Sequence, residues 1–320
     1  MNEKEGNRIP SLQIVADTIP QAYYRAVKAV WENGLRIRTE YDRKEHGEYI
    51  DPPSRDARVL IEVINPLGEP RFNPTSFCER GKYLAEMIGV KNNLVLSFSV
   101  LKAKMQRGEK FQATEWPYHY HQRLWEYPLG NGETLDQIAV ALDRVAKTPF
   151  TRRSIASTAV PEIDIFMDAD LPCLREMQIR VAGDKLNLTT TWRSRDLYKA
   201  WADNVTAVTF WQKILAETLS QKMNREIKVG SYADFSMALH IYGQDFQQVG
   251  GDEAQGIRSF FANTEDEFVA KAMTSETARD GLIIPELEEL LKQKEQWKID
   301  GKREEALKCL IGRFKAGYLP

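Results

Sequence analysis

"LPCLREMQIRVAGDKLNLTTTWRSRD", residues 171–196, decides how the chain folds and what chemistry it can carry. Met177, Ile179 and Val181 alternate with Gln178 and Arg180, a period of two that predicts a strand with one apolar face. "AGD" turns the chain, and Leu186, Leu188, Thr190 and Trp192 carry the alternation back along a second strand. Such a hairpin could return Arg193 and Ser194 toward Cys173, which sits just before the first strand. A single cysteine is most often a small buried hydrophobe. Beside a cation it instead favours the thiolate, with its pKa lowered from ~8.5 to as little as ~3.5–7.5. Arginine suits that place because it stays charged and can also grip a phosphate through two parallel donors.

Working outward, "DTIPQAYYRAVKAVWENG" predicts a helix with Pro20 in its first turn, Val27, Val30 and Trp31 on one face, and Gly34 as its stop. "RTEYDRKEHGEYIDPPSRDAR" is polar and proline-bearing and reads as a loop, followed by "VLIEVIN" as a buried strand. "FCERGKYLAEMIG" reads as a second helix. "TLDQIAVALDRVAK" gives a helix capped by Thr134 with Gln137, lined by Leu135, Ile138, Leu142 and Val145. A long helix is expected through "NVTAVTFWQKILAETLSQKM" and a strand around "SMALHIYG". Pro285 to Phe314 reads as two charged amphipathic helices that cover a surface or a partner. The sum is α+β, a mainly antiparallel sheet flanked by helices.

The 320 residues, 42% hydrophobic and 28% charged, can bury the core of one extended domain or two. A net charge of -2 argues against a general nucleic-acid partner. No run of 18 apolar residues occurs and "MNEKEGNRIPS" has no apolar core, so neither a membrane span nor a secretory signal is expected. Cys78, Cys173 and Cys309 are too scattered for a disulfide framework or, with four histidines, a zinc site. The expectation is a cytoplasmic protein without a metal.

Pro172-Cys173, Gln178 five residues on, Arg193-Ser194-Arg195-Asp196 twenty residues after the cysteine, Asn204 eleven beyond that arginine, and "HIY" at 240–242 form an ordered set. Arg152-Arg153, just before a strand, joins it. In this order and spacing the chain resembles the thymidylate synthase family, firmly over residues 117–246 and loosely outside. The resemblance implies a homodimer formed through the sheet, with a catalytic domain over 1–270 and a helical extension over 271–320. It also implies one-carbon transfer from 5,10-methylene-tetrahydrofolate to C5 of a pyrimidine nucleoside monophosphate. C5 of the free base is a poor nucleophile, and a thiolate added at C6 makes it reactive, so the chemistry needs a departing cysteine.

By that resemblance Cys173 is the nucleophile. Arg193 activates it and binds phosphate with Ser194, while Arg152 and Arg153 reach the phosphate from the other subunit. Gln178 belongs to the nucleotide set. Asn204 faces the base, its amide matching N3–H and O4 of uracil; taken alone it reads equally as a helix N-cap. An Asp there would suit cytosine, and Asp203 is next to it. His240 and Tyr242 hold the sugar hydroxyl, and Asp196 the pterin ring. "YHYHQRL" nominates Tyr120 to organise water for removal of the C5 proton. Glu79, with Glu86 as fallback, is the general acid. "SRDAR" resembles the mobile phosphate loop through Arg55 or Arg58.

The chain also departs from the family pattern. Leu174 follows the cysteine where the family has His, His121 stands where it has Gly, and Ala200-Trp201-Ala202-Asp203 replaces Gly-Leu-Pro-Phe. "KAGYLP" follows added helices, unlike the short tail that closes over folate. Loss of the Cys-adjacent His is similar to the deoxycytidylate hydroxymethylase branch, where water rather than hydride reaches the methylene adduct. The departures lean toward hydroxymethylation, and Asn204 pulls toward thymidylate synthesis. A non-catalytic nucleotide-binding protein on the same fold is the remaining reading.

Overall fold

The computed structural model describes residues 8–129, 131–165, 167, 171–251 and 259–320. Residues 1–7, part of the stretch read for a secretory signal, lie outside the described residues. The chain divides into two compact units.

The first unit takes Met1–Phe77, Thr191–Thr206 and Gly230–Thr274. Its frame is the strand Ser54–Val63, paired in parallel with Ser11–Ala16 and antiparallel with Lys228–Ile241 and Leu35–Ile37. Ala57, Val59, Ile61 and Val63 are fully buried on one face while Leu60 remains 38% exposed on the other, so this strand is half-buried rather than buried throughout. The helix Ile19–Asn33 forms as its sequence predicts, with Pro20 in the first turn and the Gly34 N–H bonded to the Val30 carbonyl. The expected loop over 38–58 is corrected in its middle and at its C-terminal end. Lys44–Glu45 pairs with Glu48–Tyr49, and the long strand begins at Ser54, directly after two prolines whose nitrogens cannot join a ladder. The strand Lys228–Ile241 is longer than "SMALHIYG" and shifts register between Ser236 and Leu239.

The second unit takes Cys78–Thr190, Ala207–Val229 and Ser275–Pro320. Leu174–Ala182 and Lys185–Trp192 form the expected hairpin, turning at Gly183 with φ 63°. Ile155–Ser157 runs antiparallel to the first of these strands. The helix Gln137–Lys147 buries Ile138, Leu142 and Val145, but Asp136, not Thr134, is its cap, accepting from the Ala139 amide at 2.8 Å. Thr134–Leu135 is drawn instead into a strand against Tyr127–Pro128, and Leu135 stays 40% exposed. The tail forms the helices Ile284–Lys292 and Gly301–Lys315, with Leu287, Leu290, Leu307 and Phe314 fully buried. The long helix, Trp201–Met223, starts three residues before Asn204. The α+β expectation holds, and the strand pairing is mixed: Ser11–Ala16 with Ser54–Val63, and Arg195–Asp196 with Leu239–His240, are parallel.

Candidate active site

Cys173 stands at the mouth of the strand Leu174–Ala182, half-buried and in no disulfide. Its Sγ lies 3.9 Å from the Leu171 carbonyl. The backbone around it is held firmly. Thr158 Oγ1 donates to the Leu174 carbonyl, and Arg175 Nη1 donates to the Pro172 carbonyl at 3.4 Å. The same guanidinium approaches Asp164 at 3.4 Å, and Asp164 pairs with the buried Arg123 at 3.1 Å.

Tyr120, in the same unit, starts the helix Tyr120–Trp125. Burial, then the neighbouring Tyr118 phenol, the Cys173 sulfur and Tyr83, push its phenol well above the usual value, with the Leu174 amide opposing. At neutral pH it is a protonated donor able to order a water. A cavity of about 260 Å³ opens beside it, lined by Tyr83, Glu86, Trp116, Pro117, Tyr118, His119 and Tyr120. Of the two glutamates, Glu86 faces this cavity. Glu79 stands exposed at the position before the helix Arg80–Met87, its side chain making no capping bond and lying 2.8 Å from Lys82. Burial raises the Glu86 carboxyl, against the pull of Lys91 at 2.6 Å.

His121 fits because the chain makes room for it. Its ring stacks on Trp125 at 4.5 Å and 2°, and a Cβ on Gly89 would stand 2.6 Å from the imidazole. Burial brings it down to about 4.

Gln178 and the paired arginines meet through the backbone. Gln178 Nε2 donates to the Arg152 carbonyl at 3.1 Å, and Arg144 Nη1 to the Arg153 carbonyl at 2.9 Å. The Arg152 and Arg153 side chains are exposed.

The first unit carries the remaining candidates. Arg193 and Ser194 are half-buried in the bend after Trp192. Asp196 pairs with His240, and His240 with Asp56, across three neighbouring strands, so the three side chains share one face. Burial raises Asp56 and Asp196 to about 6 and brings His240 down to about 4, with Arg193 nearby adding to the latter shift. His240 Nδ1 lies 3.2 Å from the Ala238 carbonyl, and among the described residues nothing hydrogen-bonds its buried Nε2. The Tyr242 ring stands 4.4 Å from the imidazole. Gly243 follows because a Cβ there would fall 1.8 Å from the Pro52 carbonyl oxygen.

Arg55 and Asp56 are consecutive in a strand and leave it on opposite faces. Arg55 accordingly stacks on Trp31, 4.9 Å from the ring, away from the Asp56–His240 face. Arg58 is exposed and donates to the Ile9 carbonyl at 2.6 Å. Asn204 is no N-cap: its amide donates to the Ala200 carbonyl at 3.0 Å inside the helix. Its side-chain oxygen accepts from Arg195 Nε at 3.2 Å. The Asp203 carboxylate is directed elsewhere, accepting from Ser76 Oγ at 2.9 Å and the Phe77 amide at 3.3 Å. Arg195 and its buried partner Asp234 were passed over in the sequence. The available signal was a charged residue at a core-facing position of an alternating strand.

The sequence profile of the family described as "Thymidylate synthase" matches residues 102–261. A protein of Methanocaldococcus jannaschii named "Putative thymidylate synthase" is 31% identical over 244 residues, covering 74% of this chain and 94% of its own. The chain belongs to the thymidylate synthase family. Relatives of the same name from Methanothermobacter marburgensis and Methanosarcina mazei are 29% and 24% identical, each over 74% of this chain and over 95% and 92% of their own. As a member of the thymidylate synthase family the chain is a one-carbon transferase, and the family's co-substrates are methylene-tetrahydrofolate and a pyrimidine nucleotide. Tyr120, Cys173, Arg193, Asn204 and His240 fall inside the matched span; Arg55, Glu79 and Glu86 fall outside it. Among the described residues no group of three or more His, Cys, Asp or Glu gathers as a metal site, and no helix is long and apolar enough to cross a membrane.

Proposed function

We propose that the protein transfers the one-carbon unit of 5,10-methylene-tetrahydrofolate to C5 of a pyrimidine nucleoside 5′-monophosphate through a transient Cys173–C6 bond. The sulfur adds at C6, electron density moves onto C5 and O4, and C5 attacks the one-carbon unit. C5 then loses its proton, and the bond from the one-carbon unit to the folate nitrogen breaks so that tetrahydrofolate leaves. Water (or hydride from that folate, which becomes dihydrofolate) adds to the exocyclic methylene, and the sulfur departs from C6. The observation that carries the reading is Cys173 on a firmly held strand mouth with the Tyr120 phenol close enough to feel it. Tyr120 orders the water that removes the C5 proton.

Glu86, rather than Glu79, is the acid at O4, supported by its place in the cavity wall and its raised carboxyl pKa. Arg193 activates the thiol and, with Ser194, holds the phosphate. Asn204 reads the base, His240 and Tyr242 the sugar, and Asp196 the pterin. Gln178 acts through the backbone of Arg152. Arg152 and Arg153 reach the phosphate of a second copy in a homodimer, supported by their exposed guanidiniums and by Val15, Leu60 and Met237, which stand 42%, 38% and 49% exposed on outward strand positions. Arg55 packs as a structural residue. Residues 1–270 supply the catalytic machinery and 271–320 an extension. The cysteines are thiols, which suits a cytoplasmic enzyme.

For the last step we favour water, giving a hydroxymethyl product. The segment Arg313–Leu319 supports this, being committed to the long helix: Tyr318 Oη donates to Glu217 at 2.7 Å and Lys213 Nζ to the Leu319 carbonyl at 2.8 Å. Reductive methylation is the second reading, favoured by Asn204, whose amide suits uracil.

The test is mass spectrometry of products from dUMP, dCMP, UMP and CMP with methylene-tetrahydrofolate. A hydroxymethyl gain supports the favoured step and a methyl gain the second. A 5-fluoropyrimidine nucleotide should form a covalent adduct with Cys173. Full turnover by Cys173→Ala would end the proposal.

A further inference from the structure

Asn204 is not left to choose its own orientation. Arg195 Nε donates to its side-chain oxygen at 3.2 Å, and Arg195 is itself immobilised. Its Nη1 lies 3.0 Å from Asp234, and its guanidinium rests 3.7 Å over the Trp192 ring. Asp234 is held in turn by Trp201 Nε1 at 3.1 Å and the Ser236 hydroxyl at 3.4 Å. Arg195 and Asp234 are 2% and 0% exposed, so water does not loosen the pair.

An amide offers an oxygen that accepts and a nitrogen that donates, and of the two the oxygen accepts from a guanidinium. The contact with Arg195 therefore fixes which end of Asn204 is which. Turning the amide over would set its NH2 against Arg195 Nε–H, donor against donor.

We infer that Arg195 is a positioning residue that locks the Asn204 amide and so sets the choice between uracil and cytosine. The inference rests on the reading that Asn204 faces the base. Uracil presents a donor at N3 beside an acceptor at O4, and cytosine presents the reverse pair. One orientation of an amide matches the first edge and the inverted orientation the second. An unlocked asparagine serves both; a locked one serves one and leaves buried polar groups mismatched against the other. Asp203 does not fill the role, since its carboxylate is engaged by Ser76 and Phe77.

Arg195→Lys separates this role from a structural one. The ammonium keeps a cation beside Asp234, but as a single point it lacks the fork that reaches both Asp234 and Asn204. The full chain is assayed with methylene-tetrahydrofolate and with [5-³H]dUMP or [5-³H]dCMP, reading kcat and KM from tritium release. The native enzyme should separate the two nucleotides by at least ~100-fold in kcat/KM. In Arg195→Lys the ratio should shrink by ~10-fold or more, through gain on the disfavoured base. Where Arg195→Lys does not fold, Arg195→Met with Asp234→Asn removes both buried charges and carries the same comparison. Equal losses on both nucleotides, with an unchanged ratio, overturn the inference. Asn204→Ala keeps the readings apart: if it too leaves the native ratio intact, Asn204 does not read the base and the inference falls with that reading.

Discussion

Lys91 Nζ lies 2.6 Å from the carboxylate of Glu86, and the same ammonium stands 5.6 Å from the Trp116 ring and 4.2 Å from the Trp297 ring. The pair is set in an aromatic enclosure, where burial outweighs the ammonium and raises the Glu86 carboxyl. Glu86→Gln should lower kcat by ~10²–10⁴-fold, the usual size of a lost acid–base group, whereas Glu79→Gln should leave it within ~2-fold. An acid must hold its proton to act, so activity should fall as pH rises past the raised pKa. Lys91→Met removes the opposing charge and should move that alkaline limb further up. Steady-state rates against pH decide it, and a limb that moved down would contradict the assignment.

Asp234 should be costly to neutralise. Asp234→Asn leaves Arg195 buried with no counter-ion, a loss of ~3–5 kcal/mol by comparison with other broken buried pairs. Urea titration of the variant measures it. A change under ~1 kcal/mol would mean that the pair is more hydrated than its burial indicates.

Acid should weaken the fold through its histidines. From 6.5, His119 is brought down to about 3 and His121 and His240 to about 4, each chiefly by burial. Their stability is fully present above pH 6.5. It is lost as pH falls toward 4, because the unfolded chain takes protons that the folded chain refuses. The carboxyls raised by burial, Asp56 and Asp196 to about 6 and also Glu86, Asp234 and Glu286, act with the opposite sign. Carboxyls held down by their hydrogen-bond partners, Asp51, Glu267 and Glu304 among them, lose stability with the histidines as pH falls. The melting temperature should therefore drop between pH 7 and pH 4; a rise across that range would count against the buried-neutral assignment.

The tail helices should not be dispensable. Phe314 is fully buried and its ring stands 5.9 Å from Phe210 on the long helix. Phe314→Ala should cost ~3–5 kcal/mol by cavity formation, read by denaturant unfolding.

The hairpin around residues 174–192 was legible because its alternation is clean and its turn carries a glycine. The helix Ile19–Asn33 was legible because it is bracketed by proline and glycine. Strand 228–241 was largely hidden: Asp234 and Ser236 occupy core-facing positions, so hydropathy alone shows no continuous apolar face. Thr134 and Asp136 are both acceptable caps, and the choice was made by strand pairing with Tyr127–Pro128, a contact that composition does not report. Family spacing named Cys173, Asn204 and His240. It named Glu79 with Glu86 as fallback, and of the two it is Glu86 that lines the cavity, which depends on which end of a short helix faces that space. It could not see Arg195, which the motif treats as a spacer.

From Tyr232 to Ser236 the strand Lys228–Ile241 sends its even-numbered side chains inward; after the register shift Leu239 and Ile241 take the interior and His240 turns to the Asp56–Asp196 face. One extra residue near Met237 thus acts as a phase shifter. Deleting it would put imidazole where leucine packs and isoleucine where the imidazole faces Asp56, without altering any motif residue. Here chain length is as much a part of the chemistry as residue identity, and a lineage could exchange side chains in this stretch far more freely than it could lose a residue from it.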